Sequence, residues 1–314
     1  MAAKFQISKG RKIILTVQSH VAGGLAALAS AFLWAVSAIL FRRITDDLSA
    51  MAINLAKGMV ALFCLGGLLL AGGAALDVNS TSALALALSG IVGICLGDTL
   101  YFLTLARLGP RLTLLLGSLI PVTTAIIAVL FLGEVVTVVA WLGIGLTIAG
   151  VTYVLWQRTP TQHGVEAWRS GVFFGLLFVA ANALGIIASK VGVQEVPALE
   201  ATFIRQAWAI AGLTFWGLMM RDLLVWVRPL RNKQLLKILL LAAVIGAFLG
   251  TWLSIVALKY THVAVAAALN STSPLFVLPL AVLLLKERIQ AREVVGALAA
   301  VAGVGVYFSS LGMV

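Results

Sequence analysis

Charged side chains are nearly missing from this sequence. Asp, Glu, Lys and Arg make up 11% of its 314 residues, while 62% are hydrophobic; soluble domains carry about 25% charged residues. A chain with that balance cannot hide its apolar surface from water, so a soluble globule is excluded and a lipid-embedded fold is implied. Histidine is scarce as well. His20, His163 and His262 are scattered near expected helix ends and form no ligand or catalytic group. The two cysteines, Cys64 and Cys95, sit in apolar runs, with neither metal-ligand spacing nor a disulfide framework, and read as small buried hydrophobes. There is no phosphate-binding loop, no ATPase motif and no Gly-x-Ser-x-Gly, so no cofactor and no nucleotide-driven step is implied. The short alternating segments of a membrane β-barrel are missing too.

What is present is a series of long, continuous apolar runs. A helix of about 20 residues crosses the hydrocarbon core, and breaks at charges, Gly and Pro give ten expected spans: 21–41, 48–71, 82–105, 110–132, 137–156, 168–189, 197–220, 235–258, 263–285 and 292–311. The longest connections are 157–167 and the basic stretch Arg221–Lys237. Residues 1–20 read as a mature tail, because Ile13-Ile14-Leu15 is too short for a signal-peptide core. The expected architecture is an all-α integral membrane protein, with repeats over 21–156 and 168–311.

The repeats are visible in the glycines and prolines. At a shift of 153 residues Gly93 falls on Gly246, Gly97 on Gly250, Ser118 on Ser271, Pro121 on Pro274, Glu134 on Glu287, Gly143 on Gly296 and Gly150 on Gly303. Glycine and proline constrain backbone geometry, so their matching in one register means more than apolar coincidences. The first two helices of each half align at 148, which pairs Gly23 with Gly171, Arg42 with Lys190 and Lys57 with Arg205. The difference of five residues places an insertion at Arg221–Lys237. Five helices per repeat is an odd number, so the expectation is ten transmembrane helices as two inverted five-helix repeats, a common transporter design with the solute held between halves.

The segment LTLARLGPRLTLLLGSLIPVTTAIIAVLFLGEVVTVVAWLGIGLTIAGV and its counterpart VALKYTHVAVAAALNSTSPLFVLPLAVLLLKERIQAREVVGALAAVAGV share a mid-helix proline, a Glu about thirteen residues later and spaced glycines. With Trp34, Ser37 and Arg42 in the first helix, the chain resembles the drug/metabolite transporter superfamily in its ten-helix EamA-type form. The resemblance covers nearly the whole chain and implies a permease working by alternating access. It departs at Asn182, which stands where the first half has Trp34, and at Thr104, where the second half has Ala257. Solute-lining positions are therefore individual to this chain, and the resemblance names no substrate.

Charges within spans are rare and face a cavity or a partner. Lys57, Asp98 and Arg205 stand out. Lys57 and Arg205 match in the repeat and read either as structural ion pairs or as contacts to a solute, with a carboxylate-bearing one such as an amino acid favoured. Asp98 has no acidic twin, since Thr251 occupies its slot, and is the candidate for proton coupling. Gly90, Gly93 and Gly97 form a small-residue stripe beside Asp98 and Tyr101, suited to close helix packing. Trp34, Ser37, Tyr101, Asn182, Trp252 and Asn270 are candidate solute contacts. Pro121 and Pro274 are expected to break helices whose freed carbonyls need nearby hydroxyls. Glu134 and Glu287 read as structural.

Omitting Lys57 and Arg205, six Lys and Arg flank the spans on the side of both termini and fourteen on the other. The positive-inside rule then puts both termini outside the cytoplasm of a cell membrane, with a bacterial inner membrane expected. The basic residues flank apolar runs rather than forming a nucleic-acid face. The expected partners are a small-molecule solute, the bilayer and a coupling proton, with the chain a monomer or a homodimer. The alternatives are a membrane-embedded enzyme and a lipid-translocating or regulatory subunit.

Overall fold

A computed structural model describes residues 2–73, 78–132, 137–156, 164–193, 195–260, 269–286 and 289–311, and every regular element among them is helical. The helices are α1 (Ala2–Arg42), α2 (Ala50–Ala71), α3 (Ser80–Ser89), α4 (Gly97–Gly117), α5 (Leu119–Leu132), α6 (Val138–Trp156), α7 (Gly164–Gly192), α8 (Ala198–Met219), α9 (Leu223–Val227), α10 (Lys233–Ala242), α11 (Thr251–Tyr260), α12 (Ser273–Leu285) and α13 (Ala291–Leu311). Among the described residues six helical stretches are long and apolar enough to cross a membrane, or seven if α8 and the bent segment after it form one span. Side chains cap the starts: Ser49 Oγ accepts from the Ala52 N–H, and Asn79 Oδ1 from the Ser82 N–H. These caps satisfy N–H groups that have no partner within the helix.

Several boundaries differ from expectation for physical reasons. Helix α1 starts at Ala2 rather than near 21, so the expected tail continues the first helix. The expected spans 82–105 and 110–132 meet in one stretch, Ser80–Gly117, interrupted only at Gly109. There φ is +75°, a conformation open to glycine, and Pro110 follows. The second break falls at Ser118, so Pro121 lies in the first turn of α5, where no helical donor is lost. Pro274 lies likewise in the first turn of α12. The hydroxyls of Ser118, Thr272 and Ser273 donate to the carbonyls of Leu115, Leu269 and Asn270, of which Asn270 lies four residues before Pro274. Glu134 and Glu287 lie outside the described residues.

The repeat reappears in the backbone. Two π-helical segments, Gly90–Leu96 and Ala243–Gly250, join α3 to α4 and α10 to α11; a shift of 153 carries the start of one onto the start of the other. Each packs on the first helix of the opposite half. A Cβ on Gly93 would meet the Cα of Gly185 at 3.2 Å, and one on Gly97 would meet Asn182 Nδ2 at 2.6 Å. In the other half a Cβ on Gly246 would strike Ser37, and one on Gly250 would meet Trp34 at 2.8 Å. These are the same two contacts made again, since Ser37 and Trp34 correspond to Gly185 and Asn182. Hydrogen bonds follow suit: Ser89 Oγ donates to the Gly185 carbonyl (2.6 Å) and Ser37 Oγ to the Ala242 carbonyl (2.9 Å).

The last helices of the two halves, α6 and α13, cross with backbones in contact. Gly143 faces Gly303 and Gly150 faces Gly296, so the two copies run antiparallel. Between these crossings Thr147 Oγ1 donates to the carbonyl of Ala300, its own repeat equivalent, at 3.3 Å. A residue touching its own counterpart marks a local two-fold axis.

Arginines tie the halves together at one end of the bundle. Arg43 Nη2 donates to the Leu284 carbonyl (3.1 Å). Arg107 Nε donates to Ser170 Oγ (3.1 Å), and its guanidinium lies 4.7 Å from the Phe174 ring centre. Arg111 and Glu293, both largely buried, form an ion pair at 2.5 Å. All three join a first-half helix end to a second-half one.

Candidate functional site: a buried charge cluster at the first π segment

Helix α2 carries Asn54 and Lys57 one turn apart, both buried. They face the π segment and the first turn of α4. A π segment leaves carbonyls poorly matched to the normal ladder, and here side chains take them up. Asn54 Nδ2 donates to the carbonyls of Ile94 (2.9 Å) and Cys95 (3.2 Å) and to Thr99 Oγ1 (3.0 Å), while Thr99 Oγ1 donates to the Cys95 carbonyl (2.6 Å). This bonding fixes the turn that begins α4 and so aims Asp98. Lys57 Nζ meets Asp98 Oδ2 at 2.6 Å, with the lysine side chain 7% and the aspartate 26% exposed. Lys57 Nζ also stands 5.8 Å from the Phe102 ring centre, a cation–π distance.

Arg205 completes the cluster from α8. Its backbone carbonyl packs where a Gly90 Cβ would stand, so the glycine stripe lets α8 lie against the π segment. The guanidinium is within electrostatic reach of Asp98, as is Tyr101. Among the described residues Arg205 makes no side-chain hydrogen bond or ion pair, and its Nε is buried without a partner. Tyr101 packs edge-on against Phe102 (5.1 Å between ring centres) and tilted against Phe178 (5.4 Å). Asn182, one turn beyond Phe178, donates back to the Phe178 carbonyl (3.2 Å) and lies over Gly97.

Five of the residues singled out in the sequence therefore come together: Lys57, Asp98, Tyr101, Asn182 and Arg205. The others sit in the second half's equivalent environment. Ser37 and Trp34 pack on the second π segment as described. Trp252 stacks with Phe248 at 6.1 Å and 10°. Asn270 Nδ2 donates to Ser254 Oγ (3.0 Å), and Asn270 Oδ1 is buried with no partner among the described residues. Asn54 is not among the residues expected from the sequence, although an amide within an apolar run three residues before Lys57, on the same helix face, is a signal for it. Nor is Gln206 among them; it lies 2.7 Å from where a Cβ on Gly58, its repeat equivalent, would stand. Among the described residues no three His, Cys, Asp or Glu side chains gather as metal ligands.

The cluster's chemistry is electrostatic. Lys57 and Asp98 balance each other, and Arg205 leaves one net positive charge at a depth where an uncompensated charge is expensive.

Apolar helices in two matched copies, with few buried charges, define a multi-pass membrane protein of the transporter class. The chain belongs to the EamA-like transporter family, whose pattern it matches over residues 21–156 and again over 169–309. It is 26% identical over 275 residues to an uncharacterized transporter of Archaeoglobus fulgidus, a match covering 87% of this chain and 92% of that protein. A solved crystal structure of a protein 16% identical in sequence shares its fold with a TM-score of 0.68, over 94% of this chain and 99% of that one.

Proposed function

We propose that the chain is a secondary transporter of ten membrane-spanning helices in two inverted halves, which moves a small carboxylate-bearing solute by alternating access. The ten-helix reading is supported by Gly109, which breaks α4 into two arms at the boundary between the expected third and fourth spans, and by the antiparallel α6 and α13. The observation that carries the substrate class is Arg205, a half-buried guanidinium that has no side-chain partner among the described residues and stands beside a lysine already matched by Asp98. A carboxylate is the ligand whose charge and two-oxygen geometry suit a guanidinium. Trp34, Ser37, Tyr101, Asn182, Trp252 and Asn270 are proposed as contacts to the rest of the solute.

Asp98 is the member of the cluster whose charge can change. A proton on it would release Lys57 from its pair and raise the net charge from one to two, strengthening anion binding. By linkage the anion would in turn favour the proton, which gives proton–anion symport.

Thermal unfolding of the purified protein against panels of carboxylates, sugars and organic cations tests the substrate class. A carboxylate at about 100 times its Kd should add about 2.7 kcal/mol of stability, and Arg205→Gln should abolish that gain without lowering the ligand-free midpoint. Stabilisation by organic cations alone, or by carboxylates equally in both proteins, would refute this assignment.

The orientation follows from the fourteen-to-six distribution of cations. A reporter fused at Val314 and active only outside the cytoplasm should be active; activity of a cytoplasm-only reporter at that position would reverse the assignment.

A further inference from the structure

The connection between α8 and α10 is five residues longer than its equivalent in the first half, and it bends sharply away from α8. Helix α8 ends in a reversal in which Arg221 N–H donates to the Leu218 carbonyl (3.1 Å) and Asp222 N–H to the Gly217 carbonyl (3.0 Å), the hydrogen-bond pattern of a Schellman close. Arg221 takes the left-handed conformation, φ +59°, where glycine is the unstrained choice. The following residues, Leu223–Arg231, run at 118° to α8, and so lie across the end of the bundle rather than along it. Trp226 pins this turn. It is 6% exposed, and its ring fills the notch left by Gly217, where a Cβ would stand 2.7 Å from it. Its neighbours point away from protein: Leu224 is 83% and Val225 63% exposed.

Cations bracket this apolar turn. Arg221, Arg228, Arg231, Lys233 and Lys237 are all exposed, against the single acid Asp222. At the same end of the bundle Arg42, Arg43, Arg107 and Arg111 are engaged with Asp46, the Leu284 carbonyl, Ser170 and Glu293. The five cations around α9 form no ion pair or side-chain hydrogen bond among the described residues. A surface that carries exposed apolar residues at its middle and unmatched cations at its edges fits the boundary between acyl chains and headgroups. A zwitterionic headgroup brings its own cation to each phosphate, whereas five cations against one acid call for phosphate with net negative charge.

We propose that the α8–α10 segment is an interfacial anchor that binds the phosphates of anionic lipids, with Leu224 and Val225 seated at the acyl boundary and Arg221, Arg228, Arg231, Lys233 and Lys237 at the phosphate level.

The test is the preference of the reconstituted full-length protein for spin-labelled phosphatidylglycerol over spin-labelled phosphatidylcholine, in bilayers of phosphatidylcholine. The wild type should favour the anionic lipid. The triple variant Arg228→Gln, Arg231→Gln, Lys233→Gln should lose at least about fivefold of that preference, the worth of one such charge at a membrane surface. Lys190→Gln, which removes an exposed cation elsewhere, should keep it. All three side chains are exposed, so the triple variant's thermal midpoint in phosphatidylcholine should match the wild type. An unchanged preference in the triple variant overturns the proposal. So does displacement of the lipid by inorganic phosphate but not by chloride at the same ionic strength, which would identify a site for a free anion.

Discussion

Asp98→Asn should cost more stability than Lys57→Gln, although the two residues share one ion pair. Removing the lysine leaves Asp98 with Arg205 still in electrostatic reach, so the carboxylate keeps a counter-charge. Removing the carboxylate leaves two cations, Lys57 and Arg205, in the membrane interior with none. Breaking a buried pair from one side costs about 3–5 kcal/mol; the 26% exposure of Asp98 lowers the figure for Asp98→Asn to about 2–3 kcal/mol. Lys57→Gln should cost about 1 kcal/mol. The double variant should be more stable than Asp98→Asn alone, because it removes the second cation. Unfolding midpoints of the purified variants measure all three. A carboxylate ligand should restore most of the loss in Asp98→Asn, as it supplies the missing negative charge. In vesicles the same variant should still exchange solute but no longer accumulate it on a pH gradient. Equal destabilisation by the two single substitutions would show that Arg205 does not sense Asp98. Accumulation that still tracks the pH gradient would remove Asp98 from the coupling step.

A larger loss is expected from a single substitution where α6 crosses α13. A Cβ on Gly143 would strike the backbone nitrogen of Tyr307 and stand 2.6 Å from the Gly303 carbonyl oxygen. The obstacle is backbone on the facing helix, so no rotamer change relieves it and the helices must separate. Separation would also disturb Gly150 against the Gly296 carbonyl (2.7 Å) and the Thr147–Ala300 hydrogen bond between them. Overpacking a well-filled interior costs about 1–3 kcal/mol, and more where backbone must shift; Gly143→Val should lie above about 3 kcal/mol. Gly145, two residues on, has nothing within 4 Å of its would-be Cβ. Gly145→Ala should therefore be neutral or raise stability by up to about 1 kcal/mol, since alanine restricts the unfolded chain and favours helix. Unfolding of the two variants side by side separates packing from helix propensity. A Gly143→Val protein as stable as Gly145→Ala would mean that the two halves do not meet at this crossing.

The sequence disclosed the parts of the fold that need a particular backbone. Gly93, Gly143 and Gly150 recur at a fixed shift where another helix approaches to backbone contact, and Gly97 recurs where the Asn182 side chain fills the space of a Cβ. The five-residue change of register likewise announced a segment at Arg221–Lys237, though not its 118° bend, which depends on one left-handed residue and a tryptophan in a notch. The π segments left no trace, since a ladder widened by one residue has no composition of its own. The charge cluster was half legible. Lys57, Asp98 and Arg205 were conspicuous by their depth, but repeat alignment matches residues with their counterparts and is silent on contacts. It coupled Lys57 to Arg205, whereas in the structure Lys57 holds Asp98 and Arg205 has no side-chain partner among the described residues. Arg111 and Glu293 escaped notice because neither recurs: Ala140 stands where Glu293 would fall in the first half, and Ala264 where Arg111 would fall in the second.

Counterflow in reconstituted vesicles tests the central claim most directly. Vesicles loaded with an unlabelled small carboxylate should take up the labelled compound transiently through the wild-type protein, with no gradient other than that of the label. Arg205→Gln should slow this exchange at least about tenfold, the effect of about 1.4 kcal/mol, and Arg205→Lys should retain part of it, as a cation without the planar fork. Carboxylate counterflow at the wild-type rate in folded Arg205→Gln, or counterflow of organic cations with none of carboxylates, would contradict the account.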